Sequence, residues 1–404
     1  LGISVGFEYD LNGNRTKMLL PDGTSTRATY DLLDRVRSVS DGLDNTTYYR
    51  YDAMGNLVLE VDPLGNQLQR EYDAACRLTS CTDTLGRTTS YEYTALGDLS
   101  RVTDAASRVT SYDYLPDGLL RQIVNPDGTS LTFGYDAARN ITSKTSQNGY
   151  ELSYAYDAMN RITRIANSQG QSKSYGYDAM GNRVSKTDGK GNVTSYAYTP
   201  SGRLREVVEA SGAVTRYQHD ALGNLTRAER LGSDGTAHAR TTSYERDVLG
   251  RVTCITDALG NRERAAYDAM GRMRAHTDAD GYVTSFGFDG AGRMSAATFA
   301  DGRTTHMAYD PLSRLVELRD WLGTTSFAYD AVGNMTRTRD HAGREMRYDW
   351  GRGDELRSVV YPGGMRTSYD YDEALRLSGV HARGLDVAYE YDANGNLAAR
   401  TYSN

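Results

Sequence analysis

Aromatic residues stand two positions apart in many places along the chain, and short polar segments follow them. Tyr175 and Tyr177 form one such pair and Tyr196 and Tyr198 another, with small residues between the members of each pair. A spacing of two places both rings on one face of a β-strand. Segments with Gly or Asp interrupt the pattern after every strand-length stretch, so the sequence predicts short strands and no helix longer than one turn.

The strand-ending residues recur with one period. Tyr51, Tyr72 and Tyr93 are 21 residues apart, and this spacing holds without a slip through His219. An insertion near 232–237 shifts the register, and the later anchors are Arg246, Tyr267, Phe288, Tyr309, Tyr329, Tyr348, Tyr371 and Tyr391. We expect one repeat segment, 1–404, with regular repeats over 1–325 and looser repeats over 326–404, and we interpret it as a fragment of a longer chain.

Each unit contains two turns. Asp52–Gly55 and Asp62–Gly65 both read Asp-x-x-Gly. A type I turn favours Asp first, where its carboxylate accepts backbone N–H groups, and Gly fourth, where the chain turns left-handed. The sequence therefore predicts β-hairpins of about 21 residues joined end to end.

We expect the repeat to be anchored by the Tyr-Asp pairs and turn glycines of the best-formed units. These structural anchors are Tyr51, Asp52, Gly55, Tyr72, Asp73, Tyr156, Asp157, Tyr177, Asp178, Gly181, Tyr196, Tyr198, Tyr267, Asp268 and Gly271.

The other strand of each hairpin has its apolar residues three apart, as in Val36 and Val39 or Ile162 and Ile165. Plain alternation would put such residues on opposite faces of the sheet. Two interpretations are open at this point: both faces are partly covered, or a β-bulge restores the register.

The predicted fold class is all-β, with the hairpins forming one long, spiralling antiparallel sheet. About 38 strands at about 4.8 Å each give a sheet about 180 Å long, and open twisted sheets rarely exceed about ten strands without curling. Rolled into a single ring, this sheet would have a diameter of about 57 Å, too wide for side chains to fill. We therefore expect a hollow shell wall with water on both sides.

Composition excludes several functions. The formal net charge is −7 and the arginines are dispersed, which argues against nucleic-acid binding. No apolar run is long enough to span a membrane. Cys76, Cys81 and Cys254 are expected to be free thiols, the six histidines (His219, His238, His276, His306, His341 and His381) are scattered, and we predict no catalytic residue, cofactor or metal site.

The motif Tyr-Asp-x-x-Gly-Asn/Arg-Leu/Val at this period, seen in Tyr177–Val184, resembles the Rhs or YD-repeat family over essentially the whole chain. This resemblance implies a sheet that spirals into a cocoon, as in bacterial Rhs polymorphic toxins, the B and C components of Tc toxins, and teneurins. In bacterial members the shell surrounds a C-terminal toxic domain, which is released by autoproteolysis and delivered by a secretion or injection apparatus such as type VI secretion.

The chain departs from the full family pattern because it lacks a spike-docking domain and the self-cleaving core region. Asp62-Pro63-Leu64-Gly65 is similar to the cleavage motif but falls on the regular turn positions, so we interpret it as a turn. No self-cleavage or toxic activity is assigned to any residue, and the segment is not expected to be an enzyme.

The leading functional hypothesis is a structural β-shell segment that encloses a toxic domain of the same parent chain until delivery. Its expected partners are that domain, a secretion spike or delivery component, and a partner that closes the shell; the protein would be an exported bacterial effector used in competition or virulence, or would lie at the cell surface. The alternative is a carbohydrate-binding or adhesion array, since aromatic rings can stack on sugars. A third hypothesis is the family's self-cleaving protease.

Overall fold

The computed structural model describes residues 4–232, 240–392 and 395–403, so residues 233–237 of the predicted insertion lie outside the described part. The described residues form 38 β-strands and no helix. The first half of the strands are β1 (Gly6–Tyr9), β2 (Arg15–Leu19), β3 (Ser25–Tyr30), β4 (Val36–Ser40), β5 (Thr46–Tyr51), β6 (Leu57–Val61), β7 (Gln67–Tyr72), β8 (Leu78–Thr82), β9 (Thr88–Tyr93), β10 (Leu99–Thr103), β11 (Val109–Tyr114), β12 (Leu120–Val124), β13 (Ser130–Tyr135), β14 (Ile141–Ser146), β15 (Glu151–Tyr156), β16 (Ile162–Asn167), β17 (Ser172–Tyr177), β18 (Arg183–Thr187) and β19 (Val193–Tyr198).

The second half of the strands continue the same pattern. They are β20 (Leu204–Val208), β21 (Val214–His219), β22 (Leu225–Leu231), β23 (Arg240–Arg246), β24 (Val252–Thr256), β25 (Arg262–Tyr267), β26 (Met273–Thr277), β27 (Val283–Phe288), β28 (Met294–Thr298), β29 (Thr304–Tyr309), β30 (Leu315–Asp320), β31 (Gly323–Tyr329), β32 (Met335–Arg339), β33 (Glu345–Trp350), β34 (Leu356–Val360), β35 (Arg366–Tyr371), β36 (Leu377–Ala382), β37 (Leu385–Tyr391) and β38 (Leu397–Ser403).

Each strand pairs antiparallel with the strands before and after it in sequence, which makes one unclosed sheet of 38 strands. The predicted all-β fold class is confirmed. Because each strand is antiparallel to the next, the connections between successive strands alternate between the two long edges of the sheet. We call the edge formed by turns that follow an anchor residue, such as 52–55, the anchor rim, and the edge formed by the alternate turns, such as 62–65, the opposite rim.

The sheet has almost no core. Among the described residues the buried hydrophobic side chains are Ala213, Cys254, Ala297, Val359 and Val387. The accessible surface is 24133 Å², whereas a compact protein of 44.6 kDa exposes about 15,600 Å². The excess surface shows that both faces of the sheet are largely uncovered.

A β-bulge beside each anchor decides between the two interpretations of the three-residue spacing. Tyr156 pairs with Ile162 and Tyr154 pairs with Ile165, while Thr163 has no partner across the ladder. The two tyrosines share a face, so the two isoleucines share it as well. The bulge restores the register, and the same shift is present beside Tyr30, Tyr177 and Tyr267.

The predicted anchor Tyr348 is wrong. β33 runs on to Trp350, which pairs with Leu356 across the bulge, and Trp350 therefore takes the anchor position. A tryptophan in this place lies outside a pattern based on Tyr-Asp. With Trp350 as anchor, the interval from Tyr329 to Trp350 is again 21 residues. The unit that ends at Tyr329 is one residue shorter because Asp320 and Gly323 pair directly across a tighter turn.

The sheet winds back onto itself. The opposite-rim turn between β2 and β3 meets the anchor-rim turn between β25 and β26, where Arg272 lies 3.2 Å from Asp22. Asp354, between β33 and β34, lies 2.7 Å from Arg87, beside β9. Arg376, before β36, lies 3.4 Å from Asp127, between β12 and β13. These contacts form a seam between successive coils, in which the opposite rim of residues 20–128 faces the anchor rim of residues 268–376.

The seam corrects the expected size of the ring. A coil contains about 24 strands, which gives a circumference of about 115 Å and a diameter of about 37 Å instead of about 57 Å. The chain therefore makes about one and a half coils. A bulge in every unit increases the local twist and bend of the sheet, so the sheet returns to itself after fewer strands than a single ring of all 38 would contain.

Two backbones come very close at the seam. A Cβ atom added to Gly42 would overlap the carbonyl group of Gly290 in the next coil. Both glycines occupy the second position of a turn, where most other units have Ala or Pro, and neither has a positive φ. The turn itself therefore does not require glycine here, but the close approach of the coils does.

Gly42→Ala is expected to lower the free energy of unfolding by about 1–3 kcal/mol, because the added methyl group forces the two coils apart. Urea denaturation monitored by circular dichroism measures this change. Gly189→Ala is the matched control: Gly189 has the same turn position and a nearest neighbour atom at 3.8 Å. Equal stability of the two variants would contradict the close contact at the seam.

Candidate functional site

The aspartate of the repeat motif organises its turn. The Oδ1 atom of Asp178 accepts hydrogen bonds from the backbone amides of Met180 (2.9 Å) and Asn182 (2.8 Å). Its Oδ2 atom accepts a hydrogen bond from Nδ2 of Asn182 at 2.9 Å. The side-chain bond from Asn182, followed by the backbone bonds, lowers the pKa of Asp178 against the opposing effect of burial. Gly181 has φ 88°, the left-handed conformation expected for the fourth position.

Units with Arg in place of this Asn connect two neighbouring turns of the anchor rim. Arg161 donates from Nε to the carboxylate of Asp157 (2.7 Å) and from Nη1 to the carbonyl of Asp178 (3.2 Å). Its guanidinium also lies 4.6 Å from the centre of the Tyr177 ring. The same stacking occurs between Arg35 and Tyr51 and between Arg251 and Tyr267. Such an arginine ties one turn to the next by an ion pair, a hydrogen bond and a cation–π contact.

The anchor tyrosine reaches across to the preceding hairpin. The Tyr177 hydroxyl donates to the carbonyl of Ile162 at 2.9 Å, and Ile162 stands next to the unpaired bulge residue. A bulge interrupts the ladder, so a donor at this carbonyl compensates for the disruption. Equivalent bonds are made by Tyr30, Tyr72, Tyr93, Tyr114, Tyr135, Tyr156, Tyr198, Tyr267, Tyr309, Tyr329, Tyr371 and Tyr391, and by the indole N–H of Trp350.

The remaining predicted anchors lie at equivalent places in the wall. Asp52, Asp73 and Asp157 each accept amide hydrogen bonds within their own turn, and Asp268 accepts one from Arg272. Gly55 and Gly271 have positive φ. Tyr196 lies under the guanidinium of Arg183 at 4.8 Å. The predicted residues are thus distributed over the wall and form no single pocket.

The contacts that come together in space are at the seam, and the sequence analysis missed them. Two opposite-rim turns contain the sequence Pro-Asp-Gly-Thr, at 21–24 and 126–129. Neither turn has an aspartate at its first position, and the aspartate at the third position makes the side-chain hydrogen bonds instead. Oδ1 of Asp22 binds the Thr24 hydroxyl at 2.6 Å, and its Oδ2 faces Arg272 of the next coil. Asp127 binds Thr129 in the same way and faces Arg376.

One seam turn reverses the usual arrangement of charges. The turn Gly351–Asp354 lacks the first aspartate, and the carboxylate of Glu355 folds back to accept the amide of Gly353 at 2.9 Å. A side chain at Gly351 would collide with that carboxylate. Asp354 is then free to accept Arg87 (2.7 Å) and Asn334 (2.7 Å). The glycine in place of the expected aspartate was the signal in the sequence that could have identified this turn.

A cavity of about 610 Å³ opens beside this turn. It lies between the coils and is lined on one side by Arg108 and on the other by Glu355, Arg357 and Asp370. Next to it, His381 bridges Asp370 (2.8 Å) and Asp386 (3.0 Å) across three strands. The hydrogen bonds that the ring donates to the carboxylates of Asp370 and Asp386 raise the pKa of His381, because they favour its charged form. Of the other cavity residues, Arg357 pairs with Glu355, and Arg108 pairs with Asp104 of its own turn.

Within the described ranges, no group of three or more His, Cys, Asp or Glu residues is arranged to hold a metal ion; His238 lies outside those ranges. The three cysteines are free thiols, as predicted. Asp62 of the cleavage-like motif accepts the amides of Leu64 (2.8 Å) and Asn66 (2.9 Å), as the aspartates of other turns do. No helix of the described residues is long and apolar enough to cross a membrane.

Two family models match the sequence. The teneurin YD-shell model matches residues 129–289, and the RHS repeat model matches residues 30–67, 72–109 and 288–325. Together the matches cover well over half of the chain. No curated protein matches the sequence.

Solved structures of Tc toxins share the fold. The TcdB2-TccC3 structure without its hypervariable C-terminal region has a TM-score of 0.67 at 14% identity, over 98% of this chain and 24% of that one. A crystal structure of TcdB2-TccC3 has a TM-score of 0.61 at 16% identity, over 99% of this chain and 24% of that one. The Photorhabdus luminescens Tc holotoxin pore has a TM-score of 0.59 at 16% identity, over 98% of this chain and 23% of that one. This chain spans about a quarter of the length of the chains it matches.

Acid is expected to destabilise the wall. Hydrogen bonds within the turns hold the pKa values of Asp52, Asp178 and Asp220 below their usual value. A carboxylate with a lowered folded-state pKa contributes stability above its unfolded pKa of about 3.9, and that contribution is lost as the pH falls through the folded-state value. The urea concentration at the midpoint of unfolding should be constant from pH 7 to about pH 5 and should decrease when the pH is below about 4. Stability that is constant or rising down to pH 2 would contradict this role of the turns.

Reversing one seam charge is expected to weaken the contact between coils. Arg87→Glu removes the pairs with Asp83 and Asp354 and should lower the free energy of unfolding by about 1–2 kcal/mol, with partial rescue by Asp354→Arg. The control is Arg344→Glu, because Arg344 pairs with Asp340 in an equivalent turn away from the seam. Denaturation of the single and double variants measures the coupling. The seam pair would be disproved if Arg87→Glu and Arg344→Glu lowered the free energy of unfolding equally and Asp354→Arg did not rescue Arg87→Glu.

Proposed function

Because this chain belongs to the Rhs/YD-repeat family, we propose that it forms part of the wall of a shell that encloses a toxic domain of the same parent chain until delivery. The observation that carries this proposal is the combination of a coil of about 24 strands with only five buried hydrophobic side chains among the described residues. Such a wall surrounds space that its own side chains do not fill.

The surface of the wall suits a guest that has to leave again. On the face opposite the anchor tyrosines, the strands carry small residues such as Gly134 and Ala155, hydroxyl residues such as Ser153 and Ser174, and charged residues such as Arg164. Small polar side chains offer an unfolded guest few apolar anchoring points. An enclosed domain could therefore be confined by the wall without binding tightly to it.

The partners and location follow from this proposal. The toxic domain, a delivery component such as a secretion spike, and a partner that closes the shell would be supplied by the rest of the parent chain or by other proteins. The protein would be an exported bacterial effector, with type VI secretion as one route and competition or virulence as its use. The repeat itself is structural, and we propose that this segment has no enzymatic activity.

The carbohydrate-binding alternative has less support from the geometry. The anchor rings are half-buried, their hydroxyls are hydrogen-bonded to the backbone, and arginines cover the faces of several of them. Few of these ring faces are free to stack on a sugar. Binding to sugars on a glycan array, abolished by substitution of exposed rings, would favour this alternative over the shell.

Enclosure can be tested on the parent protein by cryo-electron microscopy and limited proteolysis. We expect a hollow particle with density inside it, and a guest domain that resists protease. The parent carrying Arg87→Glu should release or expose the guest, whereas the parent carrying Arg344→Glu should protect it. A particle filled by its own side chains, or a guest that is equally accessible in all three proteins, would contradict the proposal.

A further inference from the structure

Four cations lie close together on the sheet face that holds the anchor tyrosines, which we call the tyrosine face. They are Lys144 of β14, Lys173 of β17, and Arg183 and Lys186 of β18. Their cross-strand partners, which lie on the same face as the residues they pair with, are Phe133, Ile165, Tyr177 and Tyr175 in that order. We call the four cations the basic patch. It extends over four strand spacings, or about 19 Å.

The strands around the basic patch bring no carboxylate to this face. Over residues 130–198, which the structure describes throughout, Glu151 is the only acidic residue within a strand, and its pairing with Thr145 places it on the other face. Asp188, in the turn after β18, accepts two backbone amides and one side-chain amide within its own turn. None of the four cations forms an ion pair with another described residue. The chain therefore does not neutralise the charge of the patch.

Two other cations of the tyrosine face show the alternative arrangement. Arg70 lies 2.9 Å from Glu60 of the neighbouring strand. Arg230 of β22 lies 3.1 Å from Glu209, in the turn after β20. In both cases a carboxylate of the chain takes up the positive charge. The basic patch lacks this neutralisation although the whole chain has a net charge of −7, so a local concentration of positive charge stands within an acidic protein.

Phenol groups add further hydrogen-bond donors to the patch. Tyr154 of β15 and Tyr175 of β17 each stand two residues before an anchor tyrosine. Their side chains are half-buried, and their hydroxyls have no hydrogen-bond partner among the described residues, whereas the hydroxyl of the anchor Tyr177 binds a backbone carbonyl. The patch therefore presents ammonium, guanidinium and hydroxyl donors side by side, without a carboxylate among them.

Carboxylates of an extended peptide match this set of donors. Alternate side chains of an extended chain point to the same side about 7 Å apart, so about three carboxylates span the patch. A single-stranded nucleic acid would need uncovered rings on which its bases could stack, but Arg183 lies 4.8 Å from the centre of the Tyr196 ring and 6.0 Å from that of Tyr175. The net charge of the chain also disfavours a long polyanion. The observations therefore favour a short acidic peptide segment.

We propose that the basic patch binds an extended acidic segment of a partner polypeptide across β14–β18, through ion pairs and through hydrogen bonds from the phenol groups. Successive coils of the wall meet along their rims, so additional coils would not cover this face. Ion pairs at an exposed surface are individually weak and are screened by salt, which makes the contact reversible. The proposal goes beyond the enclosing role of the shell and does not require that a guest be present.

Fluorescence anisotropy of a labelled acidic peptide tests the proposal on the 404-residue chain. The probe has about 12 residues with glutamate at alternate positions. The same peptide with glutamine in place of glutamate is its control and should not bind. We expect saturable binding of the acidic peptide in about 20 mM salt and binding at least about tenfold weaker in about 200 mM salt. The triple variant Lys144→Gln, Lys173→Gln and Lys186→Gln should weaken binding by about tenfold or more.

A second triple variant separates the patch from a general effect of charge. Arg101→Gln, Arg121→Gln and Arg164→Gln remove the same charge from the other face of the sheet. This variant should bind the acidic peptide as the wild type does. Circular dichroism should show the wild-type fold for both triple variants, because none of the six substituted side chains is buried.

Cross-linking locates the bound peptide without any substitution. A carbodiimide joins a carboxylate of the peptide to a nearby lysine, and the chain has only five lysines. We expect links at Lys144, Lys173 and Lys186. Lys17, which pairs with Glu8 on the other face, should not react with the peptide. The proposal would be overturned by a wild-type chain that binds the two peptides equally or not at all, by equal affinity of the two triple variants, by links mainly at Lys17, or by tighter binding of an oligothymidine of about 12 nucleotides.

Discussion

The architecture depends on the hydrogen bond that most anchor side chains donate to a backbone carbonyl at the neighbouring bulge. A bulge in every unit gives the sheet its curvature, but it also interrupts the ladder. The hydroxyl of Tyr177 binds the carbonyl of Ile162, and the indole of Trp350 does the same for Met335. Since this bond recurs along the chain, a sheet without a core keeps a regular bend over 38 strands.

Curvature determines where the chain meets itself. With about 24 strands in a coil, the opposite rim of one coil comes to lie on the anchor rim of the next, and the side chains at that contact differ from those in the rest of the repeat. Gly42 and Gly290 allow the backbones to approach, and the turn around Gly353 presents the carboxylate of Asp354 to Arg87. The repeat forms the wall, and the departures from the repeat hold its coils together.

The sequence predicts the wall better than it predicts the seam. Period, turn type and strand pairing are local properties, and they follow from Asp, Gly and aromatic spacing. The sequence did not decide whether Ile162 and Ile165 share a face, because no residue type marks a bulge. It also did not identify Trp350 as an anchor, because there an indole N–H takes the place of a tyrosine hydroxyl. Contacts such as Asp22 with Arg272 join residues in different coils, so they depend on a curvature that no single unit specifies. Met180 is 69% exposed and Met270 is half-buried, although both lie in the pentapeptide Tyr-Asp-Ala-Met-Gly, so this pentapeptide alone could not predict the difference in exposure.

The distance between two turns across the seam tests the central claim that the sheet coils around unfilled space. Spin labels at Thr84 and Arg352, in a chain whose cysteines are replaced by serine, can be measured by pulsed electron paramagnetic resonance. The coil predicts a short distance, because Arg87 and Asp354 beside these sites are 2.7 Å apart. A flat sheet would place the labels about 120 Å apart. A sample in which the short distance is absent would contradict the coiled wall.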